Sequence, residues 1–424
     1  MNLIERDKNF VWHPFTQQKN MTPPIAIKKA KGILLFDEDG SEYIDAISSW
    51  WVNIHGHAHE YIAERIYKQA LQLEHIIFAG FTHEPAVNLA EKLIPILPGD
   101  FSKIFYSDDG STSTEVALKM AIQFWWNNIV DDQQSIANRK KIIAFKDSYH
   151  GDTFGSMSVS DRSVFTLAFH DLLFEVIFVD VPTNDNLSTT KKIIEDNANE
   201  IAAIIYEPLV QGAGGMKMYN SVLLDELLLF IKQKNILCIA DEVMTGFGRT
   251  GKMFASEYMQ TKPDIICLSK GLTAGTMASG VTACTQKIYD AFVNDDAQKT
   301  FFHGHSFTAN PIACSAAIAS LELFQQENTL QKVQWITQQN IVFAQQLRQL
   351  QSIKNVRTLG TILAFEIIDG KDEYLNNISS IITKKSLGKG VYLRPLGNTV
   401  YIMPPYCVTE NELQKIYSVL LDII

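Results

Sequence analysis

Cysteine is scarce in this chain, with five residues among 424, and none stands at a spacing typical of a metal site. Most of the five lie in apolar stretches, at positions 238, 267, 284, 314 and 407. Reduced, buried cysteines of this kind are typical of intracellular proteins. Residues 1–17 lack the pattern of a secretion signal, and no apolar run reaches transmembrane length. We therefore expect a cytoplasmic protein with no metal site and no membrane partner.

Positive charge is also in deficit, since 37 Lys and Arg stand against 47 Asp and Glu, for a formal net charge of −10. This balance argues against nucleic acid or an anionic membrane surface as a partner. The chain contains no internal repeat, low-complexity stretch or charged tail. Its length allows a large core and two or three domains of an ordinary globular protein.

Apolar runs typical of buried strands alternate with helix patterns from about Tyr61 to His303. Ile201–Tyr206, Leu237–Ala240 and Ile265–Leu268 are three of these runs, and Ser221–Gln233 is one of the helix patterns. Such alternation predicts an α/β fold with a doubly wound, mainly parallel sheet.

Shorter patterns flank this region on both sides. Before it stands a hairpin pattern, Ile33–Phe36 with Tyr43–Ala46. After it, a long helix-forming stretch runs from Asn310 to about Gln351 and leads to strand patterns at Thr361–Ile368 and Val400–Pro404. We therefore predict an amino-terminal segment (1–60), a large α/β domain (61–310) and a smaller α+β domain (311–424).

Two charged residues follow neighbouring strand patterns. Asp241 comes directly after Leu237–Ala240, and Lys270 comes two residues after Ile265–Leu268. Open α/β sheets bind ligands at the carboxyl ends of their strands. A lysine that forms a Schiff base and an aspartate that pairs with a protonated pyridine nitrogen suit pyridoxal phosphate. The alternative is a surface lysine and a helix-capping aspartate on an unrelated sheet of this class.

A turn of small residues, Gly110 and Ser111 among them, follows the strand pattern Ile104–Tyr106 and precedes a helix pattern. Free N–H groups and the positive dipole end of a helix amino terminus bind phosphate. Gly110 would permit close approach of the backbone, and the Ser111 hydroxyl would add a donor. An ordinary helix cap explains this segment equally well when it is taken alone. Together with Asp241 and Lys270, the turn favours a phosphate site.

Tyr149 stands in Ser-Tyr-His-Gly-Asp-Thr (148–153), where an aromatic ring could lie on a cofactor ring. This segment, with Ala-Asp-Glu-Val (240–243), Thr-Gly-Phe-Gly-Arg-Thr-Gly (245–251) and Leu-Ser-Lys-Gly-Leu (268–272), resembles the motifs of class III, or ω, aminotransferases. Those are pyridoxal-phosphate enzymes of fold type I. The similarity runs from about Trp12 to about Tyr406.

The resemblance implies a role for each matching residue. Lys270 corresponds to the lysine that binds the cofactor covalently and moves the proton, and Asp241 to the partner of the pyridine nitrogen. Tyr149 corresponds to the tyrosine that stacks on the ring, and Gly110 with Ser111 to the phosphate cradle. The presence of Lys270, Asp241 and Tyr149 argues against a non-catalytic scaffold of the same fold.

Gly304, His305 and Ser306 match a segment that reaches the cofactor phosphate of the neighbouring subunit. The resemblance therefore implies a homodimer with shared active sites. The family usually has Pro-Thr after this glycine, so His305 is a departure, whereas Ser306 keeps a hydroxyl donor.

Within the class, the chain most resembles the branch that acts in biotin biosynthesis, on Trp12–Thr16, Ser48–Trp51, Glu207–Met216 and Arg394-Pro395. That branch converts 8-amino-7-oxononanoate to 7,8-diaminononanoate. The resemblance assigns the substrate carboxylate to Arg394, whose guanidinium can bind it in a bidentate manner. It assigns the substrate's apolar chain to Trp50, for which plain core packing is the alternative. Phe15, Tyr149, Lys270 and Gly304 complete the implied substrate site.

Three further positions bear on specificity. Met244 stands where other class III enzymes usually have Gln, which favours the biotin branch over transaminases of ornithine or γ-aminobutyrate, the alternative function. Phe15 stands where members that use S-adenosylmethionine typically have Tyr, so lysine is the alternative amino donor. Arg249 could support the site or bind a carboxylate, and a salt bridge to Asp or Glu is its alternative role.

Overall fold

The computed structural model describes residues 1–128, 139–368 and 377–424. Its strands are β1 Ile27–Lys31, β2 Leu34–Asp37, β3 Glu42–Asp45, β4 Phe101–Ser107, β5 Lys141–Phe145, β6 Val176–Val179, β7 Ile201–Tyr206, β8 Val210–Gln211, β9 Lys217–Met218, β10 Leu237–Asp241, β11 Ile265–Leu268, β12 Gly280–Thr285, β13 Ile353–Leu359, β14 Ile362–Ile367, β15 Val391–Tyr392 and β16 Thr399–Ile402.

Helices connect most of these strands. The α-helices are Leu3–Phe10, Glu60–Gln72, Glu84–Leu93, Gly110–Asn127, Phe154–Val159, Leu187–Asp196, Ser221–Gln233, Gln286–Asp290, Pro311–Gln326, Thr329–Leu347, Ile378–Leu387 and Glu410–Ile423. Short 3-10 helices span Gln18–Asn20, Ile94–Ile96, Leu167–Leu172, Ala255–Tyr258, Lys270–Thr273 and Ala297–Lys299.

A seven-stranded sheet in the order β4-β12-β11-β10-β7-β5-β6 forms the centre of the molecule. Strand β12 is antiparallel to both of its neighbours, and the other pairs are parallel. Along β10, Cys238 and Ala240 pack into one apolar cluster, whereas Leu237 and Ile239 pack into another. Because successive side chains point to opposite faces, a strand covered on both faces is apolar throughout. The predicted mainly parallel α/β sheet is therefore confirmed.

Two smaller sheets contain the strands at the ends of the chain. The predicted hairpin is present as β2 and β3, and β15 from the carboxyl-terminal part pairs with β3 in parallel. Strands β13, β14 and β16 form an antiparallel sheet. The first and last parts of the chain thus share one sheet, while the domain boundaries at residues 60 and 310 stay a prediction.

The helix-forming stretch from Asn310 to Gln351 is two helices rather than one. Pro311–Gln326 ends before Asn328, which has a left-handed backbone with φ of 50°, and Thr329–Leu347 begins directly after it. Asparagine adopts this conformation more readily than most residues do. The predicted helix-forming stretch is therefore helical, and its pattern did not reveal the break at Asn328.

The segment Ser48–Trp51 forms one turn of left-handed helix, with φ values of 54°, 45°, 75° and 74°. Its hydrogen bonds run from Trp51 N to Ile47 O and from Val52 N to Ser48 O. Left-handed backbone costs about 1–2 kcal/mol for each residue with a Cβ. The Ser48 hydroxyl offsets part of this cost by donating to Met403 O, and Ser49 Oγ donates to Asp45 Oδ2. This turn fixes where the two tryptophans point.

None of the helices in the three described ranges combines the length and the apolar character that crossing a lipid bilayer requires.

Candidate active site

The carboxyl ends of β4, β11, β10, β7 and β5 meet at one edge of the central sheet, because all five run in the same direction. A cavity of about 500 Å³ lies at this edge. It brings together seven of the predicted site residues, Phe15, Trp50, Gly110, Ser111, Tyr149, Asp241 and Lys270. This edge is the position at which open α/β sheets bind ligands.

Lys270 projects into the cavity from the end of β11. Its backbone has a φ of 44°, a strained left-handed conformation for a residue with a side chain. The ammonium lies 5.4 Å from the centre of the Trp51 ring. Desolvation by burial lowers the pKa of Lys270, and the carboxylates of Asp241 and Glu207 oppose that shift. A lysine whose pKa is lowered in this way is suited to nucleophilic and proton-transfer chemistry.

Asp241 and His150 form a buried pair at the floor of the cavity, and they are 5% and 3% exposed. The Oδ2 atom of Asp241 lies 2.7 Å from Nδ1 of His150, and its Oδ1 accepts a hydrogen bond from Val243 N at 3.0 Å. In this bond a protonated Nδ1 of His150 donates to the carboxylate of Asp241. The pair presents a carboxylate in a fixed orientation.

Glu207 lies beside this pair, directly after β7, and is 5% exposed. Its two carboxyl oxygens accept hydrogen bonds from Tyr149 N at 3.1 Å and from Gly212 N at 2.9 Å. Burial raises the pKa of Glu207 to about 7, although His150 and the two N–H donors act in the opposite direction. The cavity therefore contains a carboxyl group that titrates near neutral pH.

We expect Glu207 to make the cofactor-free protein less stable as the pH rises. A carboxyl whose pKa is raised in the folded state contributes stability that is fully present below about pH 4.5 and lost as the pH rises through about 7. One such proton changes the free energy of unfolding by at most about 1.4 kcal/mol per pH unit. Urea unfolding of Glu207→Gln between pH 5 and 7.5 should show a shallower decline than the wild type. The exposed Glu91→Gln should match the wild type, and an unchanged slope in Glu207→Gln would contradict the assignment.

The amino terminus of the helix Gly110–Asn127 forms another wall of the cavity. Asp109 caps this helix by accepting a hydrogen bond from Thr112 N, and within the described residues no acceptor faces the N–H groups of Gly110 and Ser111. The Ser111 hydroxyl accepts a hydrogen bond from Asp152 N at 3.2 Å and keeps its own proton for donation. Free N–H groups at a helix amino terminus form an anion site.

Packing at this anion site requires glycine at position 110. A Cβ atom on Gly110 would lie 2.7 Å from Cγ1 of Val243. We therefore expect Gly110→Ala to push the helix terminus out of place and to raise the Kd for pyridoxal phosphate about tenfold. The double variant Gly110→Ala/Val243→Ala should recover most of the affinity, as measured by quenching of tryptophan fluorescence. A single variant with wild-type affinity would show that Val243 moves aside without effect on the site.

The opposite end of the cavity is aromatic. Phe15 makes edge contacts with Trp50 at 5.4 Å and with Phe165 at 5.8 Å between ring centres. The guanidinium of Arg394 lies over the Trp50 ring, 4.5 Å from its centre. Arg394 does not itself line the cavity, but Trp50 does. Stacking on Trp50 therefore keeps the positive charge of Arg394 next to the apolar wall.

Tyr149 separates the aromatic end from the buried carboxyl groups. Its ring makes an edge contact with Phe165 at 6.4 Å, and its N–H is held by Glu207. Burial raises the pKa of the Tyr149 phenol, and the nearby Asp152 carboxylate raises it further. The phenol therefore stays protonated and can donate a hydrogen bond.

Arg249 has neither of the ionic roles that the sequence suggested. It is 1% exposed and donates hydrogen bonds to the backbone carbonyls of Pro404, Trp51 and Asn53. No carboxylate lies within salt-bridge distance of it in the described ranges. Its guanidinium instead fastens the left-handed turn to the carboxyl-terminal part of the chain, which makes it a support of the site.

The segment Gly304–Ser306 lies outside the cavity of its own chain. His305 Nε2 is 3.7 Å from Asp108 Oδ1, and His305 Nδ1 accepts a hydrogen bond from Phe307 N. The cofactor and substrate roles predicted for Gly304, His305 and Ser306 therefore depend on a second subunit.

The sequence interpretation missed His150, Glu207 and Phe165 as site residues. Glu207 follows β7 as Asp241 ends β10, so the rule that indicated Asp241 could have indicated Glu207. His150 stands within a motif already noted for Tyr149, but only the fold shows that it contacts Asp241. Phe165 lies in a loop without any pattern of its own, and no signal in the sequence could have revealed it.

Comparison with known proteins agrees with this geometry. The family model described as aminotransferase class-III matches residues 15–424. A protein of Synechococcus elongatus named adenosylmethionine-8-amino-7-oxononanoate aminotransferase is 46% identical, with 98% of each chain covered. A protein of Helicobacter pylori with the same name is 39% identical and covers 100% of this chain and 98% of its own length.

Solved structures give the same result. The enzyme of that name from Methanocaldococcus jannaschii is 35% identical, with a TM-score of 0.94 over 100% of this chain and 98% of its own. An ω-transaminase from Pseudomonas jessenii, in complex with PMP, is 25% identical. The two structures match with a TM-score of 0.93, over 100% of this chain and 98% of the transaminase. The predicted fold type I is thereby confirmed. The chain belongs to the class-III aminotransferase family.

Proposed function

We propose that this protein is a pyridoxal-phosphate-dependent aminotransferase that converts 8-amino-7-oxononanoate to 7,8-diaminononanoate in biotin biosynthesis, with S-adenosylmethionine as the amino donor. The observation that carries the proposal is that Lys270, the buried Asp241–His150 pair and an anion site line one cavity. The names of the relatives from Synechococcus elongatus and Helicobacter pylori support the substrate assignment.

The residues of the cavity fit pyridoxal phosphate. The free N–H groups of Gly110 and Ser111 would hold the phosphate, and Asp241 would pair with the pyridine nitrogen. Tyr149 would lie against the ring. Within the described residues no hydrogen bond or ion pair engages the Lys270 ammonium, which leaves it free to bind the cofactor.

When bound, pyridoxal phosphate supplies an electron sink for negative charge that develops at the substrate carbon. Asp241, held by His150 and Val243 N, favours the protonated pyridine nitrogen on which that sink depends. Lys270 would take the proton from the carbon that carries the donor's amino group and would deliver it to the cofactor carbon. Its lowered pKa suits this exchange because a base works best near the operating pH.

The aromatic end suits a long keto acid. Trp50 and Phe15 exclude water from the methylene chain, and Arg394 would bind the terminal carboxylate. Met244 lines the same cavity, and its thioether adds apolar surface. These contacts favour a fatty keto acid over the short, polar substrates of an ornithine transaminase.

The active unit is a cytoplasmic homodimer in this proposal. Phe302 and Phe307, on either side of Gly304–Ser306, are 75% and 62% exposed, which supports a covered apolar surface there. His305 and Ser306 would then reach the phosphate of the partner subunit. Chains carrying Lys270→Ala and chains carrying Ser306→Asp should each be inactive, and mixed dimers should regain part of the activity. A mixture that stays inactive, although mixed dimers form, would contradict shared sites.

A half-reaction measured by visible absorbance tests the function directly. Protein loaded with pyridoxal phosphate would be mixed separately with S-adenosylmethionine, lysine, ornithine and γ-aminobutyrate. We expect S-adenosylmethionine to discharge the cofactor absorbance, and 8-amino-7-oxononanoate to restore it. Discharge by lysine alone would replace the donor but keep the biotin assignment. Discharge by ornithine or γ-aminobutyrate alone, without recovery by the keto acid, would overturn the assignment.

A further inference from the structure

A second cavity, of about 510 Å³, adjoins the cavity that contains Lys270. The two share five wall residues, Tyr149, Gly151, Phe165, Ala213 and Leu396. We call the second one the outer cavity. A molecule whose reacting end lies at Lys270 and whose remainder is long enough would extend past Phe165 into this space.

The outer cavity has a more polar wall than the first cavity. Asp147, Asp152, Asp161 and Glu366 are its carboxylates, and Arg162 and Lys217 are its cations. Two of the carboxylates are paired, Asp147 with Lys217 at 2.6 Å and Glu366 with Arg357 at 2.9 Å. Asp152 and Asp161 then face one cation, Arg162, whose guanidinium donates to the carbonyls of Ser158 and Ser160. The excess of one carboxylate favours a ligand with positive charge and hydrogen-bond donors.

The wall between the two cavities is aromatic and well supported. Phe165 makes edge contacts with both Tyr149 and Phe15, and the loop before it is fastened where Asp161 Oδ2 accepts a hydrogen bond from Asp147 N at 2.7 Å. Ring faces of this kind bind planar bases by stacking. The carboxylates nearby are acceptors for the hydroxyl groups of a ribose.

We propose that the outer cavity binds the nucleoside end of the amino donor while its amino-acid end lies at Lys270. This inference rests on the proposed function, which makes S-adenosylmethionine the donor. A positively charged sulfonium, an aromatic base and two ribose hydroxyls match a negative cavity with one aromatic wall. The keto acid needs none of these groups, since its carboxylate would bind to Arg394. One catalytic centre can thus accept two unlike substrates in turn, because their remote ends lie in different spaces.

Val164 offers a direct test because it lines only the outer cavity and is 42% exposed. Val164→Trp would fill part of the outer cavity with little effect on folding. We expect kcat/KM for the half-reaction with S-adenosylmethionine to fall about tenfold. Protein loaded with pyridoxamine phosphate should react with 8-amino-7-oxononanoate at the wild-type rate. The exposed Val222→Trp on the helix Ser221–Gln233 is the matched control and should leave both half-reactions unchanged.

Two results would overturn the inference. One is equal loss in both half-reactions, or no loss in either, for Val164→Trp. The other is a wild-type protein that reacts with the keto acid but not with S-adenosylmethionine. If the wild type reacts with neither compound, the proposed function itself fails, so the two failures are distinguishable.

Discussion

Replacing Lys270 by Ala is expected to lower the rate of transamination about 10³-fold or more, because it removes the amine that would bind the cofactor and move the proton. Glu207 is held by the N–H groups of Tyr149 and Gly212, and Asp241 by His150 and Val243 N. Neither carboxyl group can form the covalent link that an amine forms. Borohydride treatment of the protein loaded with pyridoxal phosphate, followed by mass spectrometry, gives a readout independent of turnover. The wild type should gain the mass of the cofactor at Lys270, and Lys270→Ala should gain none.

Lys68→Ala is the matched control for this variant. Lys68 is 67% exposed, and among the described residues it pairs only with Glu64 on its own helix. It should keep both the activity and the covalent mass shift of the wild type. A Lys270→Ala protein that still acquires the cofactor mass, or that turns over at near the wild-type rate, would show that another lysine binds the cofactor.

Replacing Arg249 by Ala is expected to lower the free energy of unfolding by about 4 kcal/mol. Each buried acceptor left without a donor costs about 1–3 kcal/mol, and Arg249 donates to three carbonyls. The empty volume beside Tyr406, whose ring lies 4.9 Å from the guanidinium, adds a packing cost. Arg249→Lys should lose about half as much, because an ammonium can still reach one or two of the carbonyls. Urea unfolding of the cofactor-free protein, followed by circular dichroism, measures the difference.

Arg348→Ala serves as the control, since Arg348 is exposed and donates only a long hydrogen bond of 3.4 Å, to Val356 O, within the part of the chain that the structure describes. Its effect should stay within about 0.5 kcal/mol. If Arg249→Ala cost less than about 1 kcal/mol, water would have to satisfy the three carbonyls. The left-handed turn would then be held mainly by the hydrogen bonds of Ser48 and Ser49.

Local sequence patterns were sufficient to predict the central sheet and several residues of the cavity. Strands β7, β10 and β11 are continuous apolar runs because both of their faces are covered, and that pattern is visible in sequence. Charged and small residues at the ends of such runs indicated Asp241, Lys270 and Gly110. All three line one cavity because parallel strands bring their carboxyl ends to the same edge.

Local sequence patterns could not predict the contacts between segments that are far apart in the chain. The bond between His150 and Asp241 joins residues 91 positions apart, and those of Arg249 join it to Asn53 and Pro404, 196 and 155 positions away. No local pattern specifies such partners, because each depends on how the strands and loops are arranged in space.

The sequence alone determined the fold class, and it indicated Lys270 and the turn at Gly110 as site candidates, since each depends on residue types at short spacing. Tertiary structure decided the shape of the substrate wall. Ser48–Trp51 would not form a left-handed turn by itself, because the conformation costs about 1–2 kcal/mol per residue. Met403, Asp45 and Arg249 hold it through hydrogen bonds from elsewhere in the chain. Those bonds set the positions of Trp50 and Trp51, and they exist only in the folded protein.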